Sequence, residues 1–371
     1  MHLRDAWVEV DLSAISRNVR ALRALLAPGV GFMAVVKADA YGHGAEAVAR
    51  TALSAGANRI GVATAEEAIA LRAGGVRAPI QLLGQPPISA IHELLEHAII
   101  PAVTTFEFAS SLARIAGARG VEALCHLKVD TGMNRIGIRH DEAPLFAREM
   151  ADLPGLSIEG VFTHFATADV PGDWDFGLQV DRFEEAVAGI RSEGVDPGIV
   201  HAANSPAAIL SPRTHLSMVR CGLAMYGLHP CEATREVVNL TPAMSVKARI
   251  TLKKRINIGD GVSYGLTWRA AEPSDLVTLP LGYADGVHRA ASNTMEVLIG
   301  GKRCQQVGRV CMDQLMVVLP RGNSAKVGDE AVLVGSQGAE RIEIDELAQA
   351  AGTINYELAC AFGMRLPRRT A

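Results

Sequence analysis

The sequence predicts an α/β protein in which an amino-terminal (β/α)8 TIM barrel precedes a carboxyl-terminal, mostly-β domain. Short apolar runs recur over roughly the first 230 residues, amphipathic stretches separate them, and later strand-like runs follow one another without helices between them. Near-continuous apolar runs are what parallel strands buried on both faces require. The eight runs span residues 31–37, 59–64, 79–84, 99–104, 123–130, 156–164, 199–203 and 217–227. Eight strand-helix units of this size indicate a barrel.

The second domain is predicted from a change of pattern near residue 235. Turn signals separate its strand-like runs, and the segment 344–352 predicts one helix among them. The opening segment 6–12 alternates like a strand, and we expect it to pair with this domain. The predicted division is therefore a barrel over 11–235 and a β domain over 236–371, which also takes in a strand within 1–10.

Composition excludes several classes of protein. The chain has 371 residues, of which 49% are hydrophobic, and its net charge is -4, so nucleic acid and anionic membranes are not expected partners. No amino-terminal apolar signal and no apolar stretch of spanning length occurs, which predicts a cytoplasmic protein. The six cysteines form no C-x-x-C pair, so neither a metal site nor a disulfide framework is expected.

Polar residues that end the predicted strands are the candidate site, because active residues of such barrels lie at the carboxyl ends of the strands. They are Lys37, Arg135 after Asp130, His164, Asn204 with Ser205, and Arg220. A lysine that ends an apolar strand loses hydration, which lowers its pKa and frees the amine for imine formation. A buried arginine must be paired to be tolerated. Taken singly, each residue is equally compatible with a structural role.

The segment AVVKADAYGHGA, which contains Lys37, closely resembles the pyridoxal-5'-phosphate (PLP) attachment motif of the alanine racemase family. Other segments resemble motifs of the same family in the same order along the whole chain. They are VEVDLSAISRNV, HLKVDTGMNRIGIR, THFATAD, HAANSPA, MVRCGLAMYG, GVSYG, GYADG, VGRVCMDQ and INYE. The resemblance implies a PLP enzyme whose Schiff-base lysine is Lys37.

The resemblance also assigns residues to the cofactor. Arg220 is expected to face the pyridine nitrogen; because arginine stays protonated, that nitrogen should carry no proton, which favours racemisation over transamination. The Ser205 hydroxyl and a helix opened by backbone N–H groups suit an anionic phosphate. The residues expected to bind PLP besides Lys37 and Arg220 are Tyr41, Asn204, Ser205, Gly222, Leu223 and Tyr356.

Racemisation needs an acid/base group on each face of the substrate. The resemblance assigns one face to Lys37 and the other to Tyr264, whose pKa would need lowering by positive neighbours. His164 matches the histidine that contacts this tyrosine and bridges to Arg220. Since Tyr264 lies in the second domain and in the family reaches the partner subunit's barrel, an obligate homodimer with shared sites is expected.

Substrate binding is expected to involve Arg135, which would hold the carboxylate, together with Met312 and Asp313. Lys128 matches a lysine that is often carbamylated in the family. Two positions depart from the common pattern: Cys221 stands where many members have proline, and Asn134 where glycine is common. The entrance should be lined by Asp169, Tyr283, Arg289, Arg309 and Ile354, beside Tyr264 and Tyr356.

The leading hypothesis is thus an alanine racemase that supplies D-alanine for peptidoglycan. A serine or broad-specificity racemase is the runner-up, and Tyr356 favours alanine because it would crowd a larger side chain. A non-catalytic PLP-binding protein would lack the second domain and Tyr264. A PLP decarboxylase of similar architecture would be longer and carry different carboxyl-terminal motifs.

Overall fold

A computed structural model describes residues 4–371, which pack as two compact units. The barrel unit comprises residues 13–40 and 45–242. The β unit comprises the described residues up to Leu12, the short segment 41–44 and residues 243–371. The division into a domain over 11–235 and a domain over 236–371 stays a prediction. Within residues 4–371, no helix is both long enough and apolar enough to cross a membrane.

The barrel unit contains the eight predicted strands, and every paired neighbour among them is parallel. The strands are Gly31–Val35, Arg59–Val62, Ile80–Leu82, Ile99–Ile100 with Ala102–Val103, Ala123–Asp130, Leu156–Phe162, Ile199–His201 and Met218–Cys221. Pro101 divides the fourth strand, as a residue without a backbone N–H does in a sheet. A short extra strand, Ile138–Arg139, pairs with Ala123–Asp130. The predicted barrel is confirmed.

Backbone hydrogen bonds close the ring between the last two strands. The N–H groups of Ser217 and Arg220 donate to the carbonyls of Val200 and Ala203, each at 2.9 Å. The eighth predicted strand is shorter than its apolar run, because Gly222 leaves the extended conformation and a 3-10 helix begins at Leu223. The chain therefore turns immediately after Arg220.

Helices follow the strands around the barrel. They are Leu12–Arg23, Ala45–Ser54, Ala65–Ala73, Ile91–Glu96, Phe106–Ala118, Ala143–Ala151, Trp174–Ser192, Ser205–Leu210 and Ala233–Val237, with 3-10 turns at Ile88–Ala90, Pro212–Thr214 and Leu223–Tyr226. A further helical turn, Lys37–Gly42, directly follows the first barrel strand. The connections at the carboxyl ends of the strands are short except after Asp130 and Phe162, where the next helices begin only at Ala143 and Trp174.

The β unit is mostly antiparallel. Its strands are Ala6–Val10, Met244–Arg249, Leu252–Ile256, Gly261–Val262, Trp268–Arg269, Ser274–Leu279, Glu296–Ile299, Lys302–Gln305, Leu315–Leu319, Glu330–Gln337, Glu340–Ile342 and Arg368–Thr370, and 3-10 turns occur at Tyr264–Leu266, Tyr283–Asp285 and Arg289–Ala291. As predicted, the opening strand joins this unit, between Met244–Arg249 and Arg368–Thr370. The prediction of a single helix was wrong: Ile344–Ala351 is followed by Asn355–Ala361. The left-handed Gly352 separates the two helices at φ 72°.

Candidate active site

Five of the predicted residues of the barrel unit gather at one end because its strands are parallel. Lys37 follows the first strand, His164 the sixth and Ser205 the seventh, whereas Arg220 lies within the eighth. Lys128 lies two residues before the end of the fifth strand. The Lys37, Lys128 and Arg220 charges are close enough to act on one another and on the His164 ring.

Arg220 is buried and binds only neutral acceptors directly. Its Nη2 donates to the carbonyl oxygens of Thr163 at 2.7 Å and Ala202 at 2.8 Å, and it lies 3.1 Å from His164 Nδ1. Its Nη1 lies 3.1 Å from His201 Nδ1. Burial lowers the pKa of Arg220 to about 9, so the guanidinium still carries its charge at neutral pH. No carboxylate among residues 4–371 is hydrogen-bonded to it.

Lys128 is buried like Arg220, at 4% exposure. It sits 4.3 Å from the centre of the Phe162 ring, a cation–π distance. Burial and the charges of Arg220 and Arg135 hold the pKa of Lys128 well below its usual range. This amine therefore loses its proton more readily than a solvated lysine does, and the neutral amine is the nucleophilic form.

The backbone after Lys37 forms one turn of left-handed helix, which the sequence did not predict. Ala38, Asp39, Ala40 and Tyr41 all have φ between 51° and 56°. For residues with a Cβ, this conformation costs roughly 1–2 kcal/mol each, and it is rarely repeated along a chain. Within the barrel unit, a Glu67 carboxylate oxygen accepts the Ala38 N–H at 2.6 Å. Strain of this kind is concentrated at functional sites.

Ser205 and Gly222 form a polar pocket wall beside Arg220. The Ser205 hydroxyl accepts the N–H of Gly222 at 3.0 Å and that of Ala224 at 3.4 Å. Asn204 caps the helix that Ser205 begins, accepting the Ala207 N–H at 3.2 Å. Leu223 is buried at the start of the next 3-10 helix. The starts of the helices Ser205–Leu210 and Leu223–Tyr226 thus meet at this position.

Asn134 keeps the backbone conformation of the glycine that is common at its position. Its φ is 54°, in the left-handed region, which asparagine tolerates better than most side chains do. The carboxylate of Asp130 accepts the N–H groups of Gly132 at 2.9 Å and Asn134 at 3.1 Å. The loop that carries the exposed Arg135 is thus tied to the strand end.

Cys221 is fully buried beside Arg220, and burial raises the pKa of its thiol to about 12. Thiolate is the reactive form of cysteine. This thiol is both protonated and enclosed, so we expect thiol reagents to reach it poorly in the folded chain.

Tyr264 of the β unit projects from a strained turn and is 71% exposed. Ser263 before it has φ 64° and ψ -174°, a region that is essentially reserved for glycine, and Gly265 after it has φ 72°. The Ser263 hydroxyl fixes this turn by donating to the carbonyl of Arg309 at 2.6 Å. The phenol is thereby presented outward on a rigid support.

Backbone hydrogen bonds join the segments of the β unit that carry Tyr283 and Met312. The N–H of Tyr283 donates to Cys311 at 2.9 Å, and that of Ala284 donates to Met312 at 3.0 Å. Tyr283, Met312 and Ile354 are exposed, as Tyr264 is. The remaining predicted residues of this unit are Tyr41, which is buried, Arg289, which is exposed, Asp313, which pairs with Arg365 at 2.5 Å, and Tyr356, in the last helix. Asp169 is exposed in the barrel unit.

Sequence reasoning missed the polar residues inside the barrel that are linked to Arg220 by successive hydrogen bonds. His201, His126 and Glu159 stand within three adjacent strands, and both histidines are fully buried. Burial lowers the pKa of each histidine, and the nearby Arg220 charge acts in the same direction. The signal was present in the runs ALCHLKVD, LSIEG and IVHAA, where a polar residue interrupts an otherwise apolar strand.

Comparison with known proteins gives a consistent result over the whole chain. Family models match residues 10–230 to "Alanine racemase, N-terminal domain" and residues 243–370 to "Alanine racemase, C-terminal domain". Alanine racemase of Symbiobacterium thermophilum is 45% identical over 99% of this chain and 97% of its own length. That of Desulfovibrio desulfuricans is 43% identical over 98% of each chain.

Solved structures agree with these matches. The crystal structure of alanine racemase from Bacillus anthracis with bound L-Ala-P superimposes with a TM-score of 0.95 at 39% identity, covering 100% of this chain and 96% of that one. Alanine racemase from D-cycloserine-producing Streptomyces lavendulae gives a TM-score of 0.94 at 38% identity, covering 100% and 98%.

The two buried histidines make stability dependent on pH. Because burial lowers their pKa values from the ordinary 6.5, His126 and His201 bind protons less readily in the folded chain than in the unfolded chain. Stability is therefore greatest above pH 6.5 and falls as the pH is lowered through that value. We expect the free energy of unfolding in urea to be lower at pH 5.5 than at pH 7.5, by up to about 1.4 kcal/mol for each of the two histidines.

The exposed His92 provides the control, since its replacement leaves the two buried histidines in place. The variant His92→Gln should show the same pH dependence as the parent chain. Equal unfolding free energies of the parent chain at the two pH values would contradict the assignment of neutral, buried rings.

Proposed function

Because the chain belongs to the alanine racemase family, we propose that it is a PLP-dependent isomerase that interconverts L-alanine and D-alanine. The observation that carries this proposal is the concentration of positive charge at the carboxyl ends of the barrel strands. Of the charged groups that act on Lys128, Arg220, Arg135 and Lys37 are positive and Asp130 is negative. Such a site suits a ligand set that brings both a phosphate and a carboxylate.

The residues present fit PLP. Lys37 would hold its aldehyde carbon, and Ser205 with the Gly222 N–H would bind its phosphate, where a hydroxyl and helix starts meet. Arg220 would donate toward the ring nitrogen. Further contacts are proposed for Tyr41, Asn204, Leu223 and Tyr356.

When bound, PLP supplies an electron-accepting ring that makes the α-proton of an attached amino acid acidic. Arg220 would limit how strongly the ring accepts electrons. With a pKa of about 9, Arg220 is protonated at neutral pH, so it would donate a hydrogen bond to the ring nitrogen of bound PLP and that nitrogen would carry no proton. Arg220 would thereby favour return of the proton to the substrate Cα, which is the outcome that racemisation requires.

Lys37 and Tyr264 are proposed to move the proton on opposite faces of the substrate. The Lys37 amine would take or return the proton at Cα on one face, and the Tyr264 phenol on the other. His164 is neutral, because burial and the Arg220 charge hold its pKa well below 6.5. It can therefore accept one hydrogen bond from Arg220 and donate another to a phenol oxygen.

The exposure of Tyr264 favours a site shared between two copies of the chain. A tyrosine that is 71% exposed on a strained turn, near exposed Tyr283 and Met312, forms part of an apolar surface suited to a partner. We propose that each β unit supplies Tyr264 to the barrel of the other protomer. The enzyme would act in the cytoplasm and supply D-alanine for peptidoglycan.

Substrate recognition is proposed to rest on Arg135, whose guanidinium would bind the alanine carboxylate bidentately. Met312 would add a backbone donor and an apolar wall. Asp313 is proposed to act near the substrate although it already holds Arg365. The proposed entrance is lined by Tyr264, Tyr356, Tyr283, Asp169, Arg289, Arg309 and Ile354.

Lys128 is proposed to be a carbamate in the working enzyme. Its low pKa provides the neutral amine that attacks carbon dioxide, forming an N–C bond and releasing one proton. The product is an anion inside a positive cluster, and it would fix Arg135 by ion pairing. The modification would thus convert a costly buried cation into a counter-charge.

Activity is tested by incubating the PLP-loaded protein with L-alanine or L-serine in deuterated water. We expect deuterium at the α-carbon of alanine and complete loss of optical rotation, because both bases exchange with solvent. Serine should react about 10–200-fold more slowly, since Tyr356 restricts the side-chain pocket. Equal rates would instead indicate a broad-specificity racemase, and no deuteration of either would indicate a non-catalytic PLP-binding protein.

Shared sites are tested by mixing the inactive variants Lys37→Ala and Tyr264→Phe. After random subunit exchange, half of the dimers are mixed, and each mixed dimer has one site with both native residues, so about a quarter of full activity should return.

The matched control mixes Lys37→Ala with Arg220→Ala. Both changes lie in the barrel unit, so every site of a mixed dimer keeps one defect and no activity should return. If neither mixture recovered activity after exchange was verified by mass, shared sites would be excluded.

Carbamylation is tested by 13C NMR of the protein equilibrated with 13C-labelled bicarbonate. One carbamate resonance should appear and should be lost in Lys128→Met, because methionine keeps the apolar stem against Phe162 but has no amine. Lys302→Met, on the surface of the β unit, should retain the resonance. A spectrum without a carbamate signal in the parent chain would refute the proposal.

A further inference from the structure

Arg220 begins a continuous chain of hydrogen bonds through the barrel interior. Its Nη1 lies 3.1 Å from His201 Nδ1, His201 Nε2 lies 2.8 Å from His126 Nδ1, and His126 Nε2 lies 2.9 Å from a Glu159 carboxylate oxygen. We call His201, His126 and Glu159 the histidine relay. Glu159 is its outer end, at 21% side-chain exposure, whereas both histidines are fully enclosed.

The carboxylate at the end fixes the proton positions along the relay. Burial alone would raise the pKa of Glu159, but hydrogen bonds from His126 and Arg59 lower it to about 2, so it is ionised and only accepts. His126 must then carry its proton on Nε2, and its Nδ1 accepts from His201 Nε2. That leaves His201 Nδ1 as an acceptor, which is what the guanidinium of Arg220 requires.

The backbone is shaped to accommodate the relay. Cys125 pairs with Ile158 but His126 pairs with Gly160, so Glu159 is the extra residue of a bulge between two parallel strands. Bulges are uncommon in parallel pairs, and they re-aim side chains near active sites. At Gly160 a Cβ would lie 2.4 Å from Cε1 of the His126 ring, so only glycine leaves room for that ring.

The relay also supplies a negative charge, which the direct contacts of Arg220 lack. The carbonyl oxygens of Thr163 and Ala202 and the ring of His164 are all neutral. The relay leads instead to a carboxylate. The His201 ring is further held by Phe162, whose ring stacks on it at 4.9 Å with an interplanar angle of 2°.

We propose that Glu159, His126 and His201 are positioning residues for Arg220, holding its guanidinium aligned and polarised toward the cofactor ring nitrogen. This inference rests on the proposed role of Arg220. Arg59 lies outside the relay: its two 2.8 Å bonds to Glu159 form a structural ion pair.

The test uses Glu159→Gln in the PLP-loaded protein and in the protein without PLP. Loss of the charge should lower kcat about tenfold, as loss of a partner behind a directly acting group commonly does. KM for alanine should hardly change, since Arg135 is not part of the relay. In the PLP-free protein, 15N NMR of labelled histidines should show His126 and His201 locked as Nε2–H tautomers, and Glu159→Gln should allow the second tautomer.

Arg59→Met is the matched control, because it breaks the same ion pair yet leaves the relay intact. It should lower stability as Glu159→Gln does, while kcat and the tautomers stay as in the parent chain. Glu159→Gln leaves Arg59 without its counter-charge, which could unfold the chain. In that case the double variant Arg59→Met/Glu159→Gln, which removes both charges, is measured instead. If these Glu159 variants match Arg59→Met in kcat and tautomers, the relay has no positioning role.

Arg220→Lys separates this inference from the proposed function. A large fall in kcat with Arg220→Lys, but none with Glu159→Gln, would overturn the relay and leave the role of Arg220 standing. An unchanged kcat in Arg220→Lys would overturn both the proposed role of Arg220 and the positioning role of the relay. The tautomers are measured without PLP, so they report on the hydrogen-bond chain itself.

Discussion

The structure depends on keeping several positive charges at the carboxyl end of one barrel. Removing a charge from water costs several kcal/mol unless hydrogen bonds and counter-charges replace the solvent. For Arg220 the replacement comes from two carbonyl oxygens and two neutral histidine rings. For Lys128 it comes in part from the face of Phe162. Such partial compensation leaves the site attractive to anions, which is what binding a phosphate and a carboxylate requires.

The same constraint accounts for the irregular backbone nearby. The left-handed turn after Lys37 and the bulge at Glu159 both interrupt otherwise regular elements. Each places a side chain where regular helix or strand geometry would not. These conformations are unfavourable locally, but the rest of the structure is regular. The fold can therefore hold this local backbone strain.

The sequence was sufficient to predict the fold and the candidate residues at the strand ends. Eight apolar runs coincide with eight barrel strands because burial on both faces leaves little choice of residue. It was insufficient for the second carboxyl-terminal helix, Asn355–Ala361, which is short and begins only three residues after Gly352. It also failed at the turn after Lys37, since left-handed conformation at four residues with a Cβ contradicts local preference.

The histidine relay was missed for a different reason, which concerns how apolar strands are interpreted. A single polar residue in such a run does not alter the prediction of a strand, so it is easily treated as neutral. Yet the fifth to eighth strands carry His126, Glu159, His201 and Arg220, and these strands are consecutive around the barrel. A buried polar group must find a partner, and inside a barrel the nearest candidates are on the neighbouring strands. Once the strand order is accepted, buried polar residues on four adjacent strands therefore predict that such residues bind one another.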